Sequence, residues 1–250
     1  MEAIEVRGTT IGKGIPKICV PIVGKTKIEI LNQAKAIKTA DIVEWRGDWY
    51  EDISCLACAE EIGKELRSMF PNTPLIFTFR TKEEGGERGI SNESYEQLIL
   101  HMAKSGCFDI IDIEIFRNER QLKHWINQVH EYHCYVIGSN HDFNKTPVKE
   151  AIVKRFKTME TYGVDIAKIA VMPKEKIDVL HLIEAVMEAG SHMKVPIIAM
   201  SMGREGGISR FIGEWFGSAV TFGSAGAESA PGQINATVLK ELLEDLHEVI

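Results

Sequence analysis

A single lysine interrupts an otherwise apolar run, DIAKIAVM at residues 165–172, which has the length and make-up of a buried strand. Burial near other cations lowers a lysine's proton affinity, and the neutral amine is a nucleophile toward carbonyl carbon. At the ordinary value of ~10.4 only ~0.04% of the amine is neutral at pH 7, whereas a value near ~7 frees about half of it, for roughly 4–5 kcal/mol. Arg46 and Arg80 are the cations able to act on Lys168 if all three share one interior. The plainer alternative makes Lys168 one half of a buried ion pair with Asp112 or Glu114. From this run alone both readings stand.

His141, in IGSNHDF at residues 137–143, ends the run that precedes the lysine strand. If the two strands are neighbours, its imidazole is placed to move a proton on the carbon beside an iminium. Glu84 stands before Gly85-Gly86 in the charged loop FTFRTKEEGGERGIS, residues 77–91, where it could reach a histidine and fix its tautomer. Two glycine-bearing stretches, SMGREGGISR at 201–210 and SAPGQI at 229–234, follow the last two strand-like runs. Arg210 has the planar fork that suits a carboxylate or phosphate.

Something must hold these residues together. Short β-branched runs alternate with amphipathic stretches: 17–23, 41–46, 74–80, 109–116, 134–141, 165–172, 195–202 and 218–223. Eight strands, each followed by a helix, in 250 residues have the beat of a (β/α)₈ TIM barrel, read as one domain over residues 1–250. The leading AIEVRGTTIG remains for a short hairpin closing the bottom. Thr146-Pro147 reads as the cap and first residue of a helix closed by Gly163, with Gly190 closing the next.

Parity supports the barrel. Glu44 and Arg46 alternate with Val43 and Trp45; Thr78 and Arg80 alternate with Phe77 and Phe79; Asp112 and Glu114 alternate with isoleucines. Taken singly these are interior ion pairs, Arg46 with Glu44 and Arg80 with Glu114. As a set they are better explained by a site in the barrel's upper half, because paired buried charge rarely improves on apolar packing.

Composition removes other classes. The chain is 44% hydrophobic and 26% charged with a formal net charge of -7 and no long basic run, so a nucleic-acid or membrane footprint is not expected and a small-molecule partner is. The amino terminus has no basic and apolar leader pattern, and no apolar run could span a bilayer, which reads as cytoplasmic. Five cysteines are an odd number and speak against a disulfide framework. Cys55 and Cys58, in CLAC, read as two helix cysteines rather than metal or redox ligands, and no metal site is expected.

Taken in order, EWRGD (44–48), FTFR with EEGGE (77–80, 83–87), DIEIF (112–116), SNHDF with KTP (139–147), AKIAVMP (167–173), SMG through TFG (201–223) and SAPGQ (229–233) resemble the blocks of the type I 3-dehydroquinate dehydratase family over essentially the whole chain. The resemblance implies that Lys168 forms a Schiff base with the ketone of 3-dehydroquinate. It implies that His141 removes the adjacent proton and then protonates the departing hydroxyl, and that Glu84 orients His141. Arg210 would hold the substrate carboxylate, while Glu44, Arg46, Arg80, Ser229 and Gln233 would contact ring hydroxyls or close a lid. It further implies a syn elimination to 3-dehydroshikimate within the shikimate pathway, no metal or organic cofactor, and a homodimer. Two rivals are a class I aldolase acting on a sugar phosphate, which needs a denser phosphate cradle than these loops offer, and a non-catalytic barrel binding a small acid, which has no use for Lys168, His141 and Glu84 together.

Overall fold

All eight β-branched runs form parallel strands. The computed structural model describes residues 1–226 and 229–249. After an antiparallel hairpin, β1 (Ile4–Val6) and β2 (Thr9–Ile11), the chain lays down β3 (Lys17–Ile22), β4 (Ile42–Arg46), β5 (Leu75–Thr78), β6 (Ile110–Glu114), β7 (Tyr135–Asp142), β8 (Ile166–Val171), β9 (Ile197–Ser201) and β10 (Val220–Ser224). Each of β3 to β8 pairs in parallel with the next, and β10 pairs with β3, which is the TIM-barrel order. A two-residue β11 (Ile234–Asn235) adds to β10.

The barrel closes through a thin seam. Between β9 and β10 the join is a bridge from Ile197 to Ser218, with the Ala219 N–H donating to Ile197 O at 2.7 Å. The Ser218 hydroxyl, which accepts from the Ala199 N–H at 3.0 Å, supplies a contact that a longer strand would make with its backbone.

The strands' inward parity sorts by height. Ile42, Ile76, Ile110, Ile137, Ile166 and Ile198 form an apolar floor with Cys19 and Val220, and Val6 and Ile11 of the hairpin pack into the same cluster, so the hairpin plugs the bottom as expected. Its turn needs a left-handed pair, Arg7 (φ 48) and Gly8 (φ 77). The Arg7 side chain ties it to the barrel through Asp109 at 2.6 Å. The outward parity (Val43, Trp45, Phe77, Phe79, Ile111, Ile113) packs under the helices in the larger core cluster.

Those helices are α1 (Lys27–Ala36), α2 (Leu56–Met69), α3 (Asn92–Lys104), α4 (Glu119–Glu131), α5 (Lys149–Tyr162), α6 (Lys176–Gly190), α7 (Gly213–Phe216) and α8 (Ala236–His247). The strand–helix beat weakens once. After β9 the chain makes a single-turn 3-10 helix, Gly207–Arg210, and the four-residue α7 in place of a full helix.

Three sequence expectations need correction. The helix expected to start at Thr146-Pro147 begins at Lys149 with Val148 as its cap, and Thr146-Pro147 stay in the loop; Gly163 closes it in the left-handed region as expected. Gly190 is the last residue of α6, whose C-cap is Ser191. Cys55 and Cys58 are joined in a disulfide: Cys55 caps α2 outside its first turn, where its sulfur accepts from the Cys58 N–H at 3.3 Å, and that position brings an i, i+3 pair together. Cys19, Cys107 and Cys134 are buried and free. Among the described residues no helix is long and apolar enough to cross a membrane.

Candidate active site

Above the isoleucine floor the inward positions turn polar, and all nine residues singled out from the sequence line one cleft of about 450 Å³ including its open mouth. That volume suits one small ring. Strands supply Glu44, Arg46, His141 and Lys168, with Arg80 just beyond one, and the loops above them supply Glu84, Arg210, Ser229 and Gln233, as at the C-terminal face of such a barrel.

Arg80, just beyond β5 and 3% exposed, is its hub. One terminal nitrogen donates to Glu114 Oε1 and to Ser139 Oγ, both at 3.0 Å, and the other to Asp112 Oδ1 at 2.8 Å. Asp112 also accepts from Ser139 Oγ at 2.6 Å and faces Lys168 Nζ at 3.4 Å through its second oxygen. Burial works against the Asp112 charge, but Arg80 and then Lys168 hold its carboxyl below the ordinary range. On the other side of Nζ, Glu44 Oε1 lies at 3.7 Å and accepts from Thr78 Oγ1 at 2.7 Å. The Phe222 ring sits 4.5 Å from the ammonium.

The ion-pair reading of Lys168 is thus partly met, by Asp112 and Glu44 rather than by Glu114. The arginines expected to crowd the amine are instead paired off with carboxylates. Arg46 does not pair with Glu44: its Nε and Nη2 grip both oxygens of Asp48 at 2.8 Å each. Asp48, fully buried, also accepts from the backbone N–H groups of Arg80 and Glu87, both at 3.2 Å, and so ties β4 to the loop carrying Glu84. Asp48→Ala should therefore cost about 3–5 kcal/mol, because it leaves a buried guanidinium unpaired. Urea unfolding of the variant checks this; a loss under about 1 kcal/mol would mean that solvent reaches Arg46.

His141 ends β7, opposite Ala170 of β8, and so neighbours the strand bearing Lys168. Its Nδ1 is 3.0 Å from Glu84 Oε2, which also accepts from the His141 backbone N–H at 2.9 Å. Glu84 Oε1 accepts from Asn140 Nδ2 at 3.0 Å. Burial, with the positive charges of Arg80, Lys168 and Arg46, keeps the imidazole's proton affinity well below its ordinary value. Burial and the neighbouring Glu114 raise the Glu84 carboxyl to about 8 against the pull of Arg80 and the Asn140 amide. When Glu84 is ionised the Nδ1 proton is directed at it, and the nitrogen left for the cleft is Nε2.

The remaining three residues form the roof. Arg210, 1% exposed, donates to Phe222 O at 3.3 Å and Pro231 O at 3.1 Å. Gln233 clasps Ser229 twice, accepting from its backbone N–H at 2.8 Å and donating to its hydroxyl at 3.0 Å. Arg46 reaches Ser229 O at 3.3 Å, and the Gly203 N–H donates to Pro231 O at 3.1 Å. Gly232 is obligatory here: its φ is +81 and a Cβ would lie 2.7 Å from Gly203 O.

Sequence reasoning alone misses Asp48 and Asn140. Asp48 falls after its strand, where parity gives no guide. Asn140 does carry a signal, a polar side chain following Val136 and Gly138 on the outward parity of its strand. Among the described residues no group of three or more His, Cys, Asp or Glu is arranged to hold a metal ion.

Comparison with known proteins shows the family and the fold. The profile of the type I 3-dehydroquinase family matches residues 18–249. The 3-dehydroquinate dehydratase of Listeria welshimeri is 46% identical over 250 residues, covering 99% of each chain, and that of Bacillus licheniformis is 48% identical over 254 residues, covering 98% of each. A crystal structure of the type I enzyme from Clostridium difficile with covalent modified comenic acid superposes with a TM-score of 0.96 at 46% identity over the whole of both chains. Structure, motifs and sequence identity converge: the chain belongs to the type I 3-dehydroquinase family, a family of hydro-lyases.

Proposed function

We propose that this chain dehydrates 3-dehydroquinate to 3-dehydroshikimate through a Schiff base on Lys168, with His141 moving the proton. The observation that carries the reading is the placement of a buried amine and an imidazole with a committed Nδ1 on adjacent strands facing one small cleft.

The chemistry follows from the groups present. Lys168 Nζ, after losing a proton, attacks the ketone carbon; the carbinolamine expels its oxygen as water and leaves an iminium. That iminium carries the same single positive charge as the ammonium it replaces, so Glu44 and Asp112 serve it equally well as counter-ions. The iminium draws electrons from the neighbouring C–H bond far more strongly than a ketone does. His141 Nε2 takes that proton, the electron pair forms an enamine, and the enamine expels the hydroxyl on the next carbon, which accepts the same proton from His141 and leaves as water. One base acting on both groups requires them on the same face, hence syn elimination. Water then cleaves the conjugated iminium, freeing product and amine. The C. difficile relative's covalent modified comenic acid is a precedent for covalent chemistry in a close relative.

Arg210 takes the substrate carboxylate, Glu44, Arg46, Ser229 and Gln233 surround the ring hydroxyls, and Arg80 holds the acid cluster. The reaction belongs to the shikimate pathway, in the cytoplasm, and the chain works as a homodimer without metal or organic cofactor. Residues 1–250 act as one domain. The direct test mixes the protein with 3-dehydroquinate and follows the conjugated product by ultraviolet absorbance; no absorbance change from folded protein would exclude the activity.

The His141–Glu84 pair also sets a pH dependence. Below about 8 the pair holds an extra proton, with Glu84 protonated toward Nδ1 and Nε2 bearing hydrogen, so Nε2 is no base. Above that value the carboxylate accepts from Nδ1–H and Nε2 is free. The value of kcat/KM should therefore rise with pH toward a plateau above about 8. A flat profile across roughly two pH units on either side of neutrality would place the proton transfer elsewhere.

A further inference from the structure

Asn140 breaks the rule of its strand. Along β7, Ile137, Ser139 and His141 face inward, so Asn140 falls on the side that packs beneath the helices, and it is 9% exposed. A buried amide has to satisfy both ends, and its orientation decides what it offers each neighbour. Here the orientation is set from behind. Arg155, on α5, donates through Nη1 to Asn140 Oδ1 at 2.8 Å. A guanidinium has donors only, so it accepts no other face of the amide. With Oδ1 held by Arg155, Nδ2 must point at Glu84, where it donates to Oε1 at 3.0 Å. Among the described residues no carboxylate forms an ion pair with Arg155, so its polar role here is this contact with the amide.

We propose that Arg155, acting through Asn140, is a positioning residue that holds Glu84 as a hydrogen-bond acceptor and thereby fixes the tautomer of His141. The inference rests on the reading of His141 as the proton-transfer residue. It extends the site one layer outward, from the barrel mouth to the face of α5. With Nδ2 on Oε1, Oε2 is the oxygen left for the His141 backbone N–H and Nδ1. If the amide turned over, its oxygen would face Oε1. Only a protonated Glu84 could then make that contact, and the second proton would stay on the histidine pair.

The charged groups around Glu84 set how far this matters. From β6 come Glu114 and Asp112, which disfavour its charge; from the end of β5 comes Arg80, 3.6 Å from Oε2, which favours it; from β7 comes His141 itself. The Asn140 amide is the neutral donor on the favouring side. Arg155 stands behind it.

The test is Arg155→Met, which keeps the stem and removes the donors, with Arg155→Lys as the conservative variant. Arg155→Met should lower kcat about 5- to 10-fold with KM within about twofold, and move the kcat/KM limb upward by roughly half a pH unit or more, while Arg155→Lys restores most of both. A readout independent of turnover is the ¹⁵N NMR signature of the His141 imidazole in ligand-free protein: Nδ1–H above the limb in wild type, a mixture of tautomers in Arg155→Met. An unchanged limb and unchanged tautomer in Arg155→Met would overturn the proposal. So would equal losses at every pH in the Met and Lys variants, which mark a merely structural arginine. Should Arg155→Met fail to fold, Asn140→Asp takes its place, since a carboxylate facing Oε1 should raise the limb by about one unit or more, and an unmoved limb refutes the relay. If wild type neither turns over 3-dehydroquinate nor is trapped at Lys168 while the tautomer still responds to Arg155→Met, the reaction assignment fails and the positioning stands.

Discussion

Lys168→Ala is expected to lower kcat by at least ~10⁴-fold and to leave the barrel folded. Removing Nζ removes the only step that turns the ketone into an electron sink, and no other described residue lining the cleft offers an amine. The fold should survive because each carboxylate beside Nζ has another partner: Asp112 keeps Arg80 and Ser139, and Glu44 keeps Thr78. Lys168→Met retains the stem against Phe222 and separates loss of packing from loss of the amine. Turnover assays beside thermal melts decide the matter. If Lys168 were only an ion-pair partner, the alanine variant would lose several kcal/mol of stability and retain turnover in the fraction that folds.

His141→Ala carries the second largest effect, a loss of ~10²–10⁴-fold in kcat, the range for positioned acid–base help. The failure should come at a different step. The amine remains, so the imine should still form and then accumulate, because the imidazole that takes the neighbouring proton and returns it to the hydroxyl is gone. Glu84 keeps Asn140 and the backbone N–H of residue 141, so the loop that carries it should hold its place. Mass spectrometry of the variant after mixing with substrate and reductant should show more adduct than wild type. Finding less would mean that His141 is needed earlier, when the carbinolamine loses water.

What the chain's pattern reveals and what it hides have separate physical causes. The eight strands are legible because a barrel strand is apolar on one parity and graded on the other, so Lys168, Arg80 and Glu114 stand out as polar residues among isoleucines. Glu44, Arg46, Arg80, His141 and Lys168 are legible because strand ends must face the mouth, whereas Ser229 and Gln233, in the loop after β10, follow only from the family resemblance. Partner choice is not legible: Arg46 takes Asp48, two residues away beyond the strand, over Glu44 on its own face, since the turn after β4 folds Asp48 back under the guanidinium. The segment after β9 makes only short helical turns, and Gly206 in it serves close approach, since a Cβ there would lie 2.3 Å from Ser201. The Cys55–Cys58 bond is hidden because a count of cysteines says nothing of where a helix begins. Asn140 leaves a mark in the sequence, a polar residue following Val136 and Gly138 on the outward parity, whose meaning needs its partners on α5 and in the Glu84 loop.

The central claim, a covalent bond between Lys168 and the substrate's carbonyl carbon, is tested most directly by sodium borohydride trapping. Wild-type protein mixed with 3-dehydroquinate and reduced should gain the mass of one reduced substrate- or product-derived adduct, and peptide mapping should place it on the segment holding Lys168. Turnover without any such adduct, or an adduct mapped to another lysine, would contradict the mechanism.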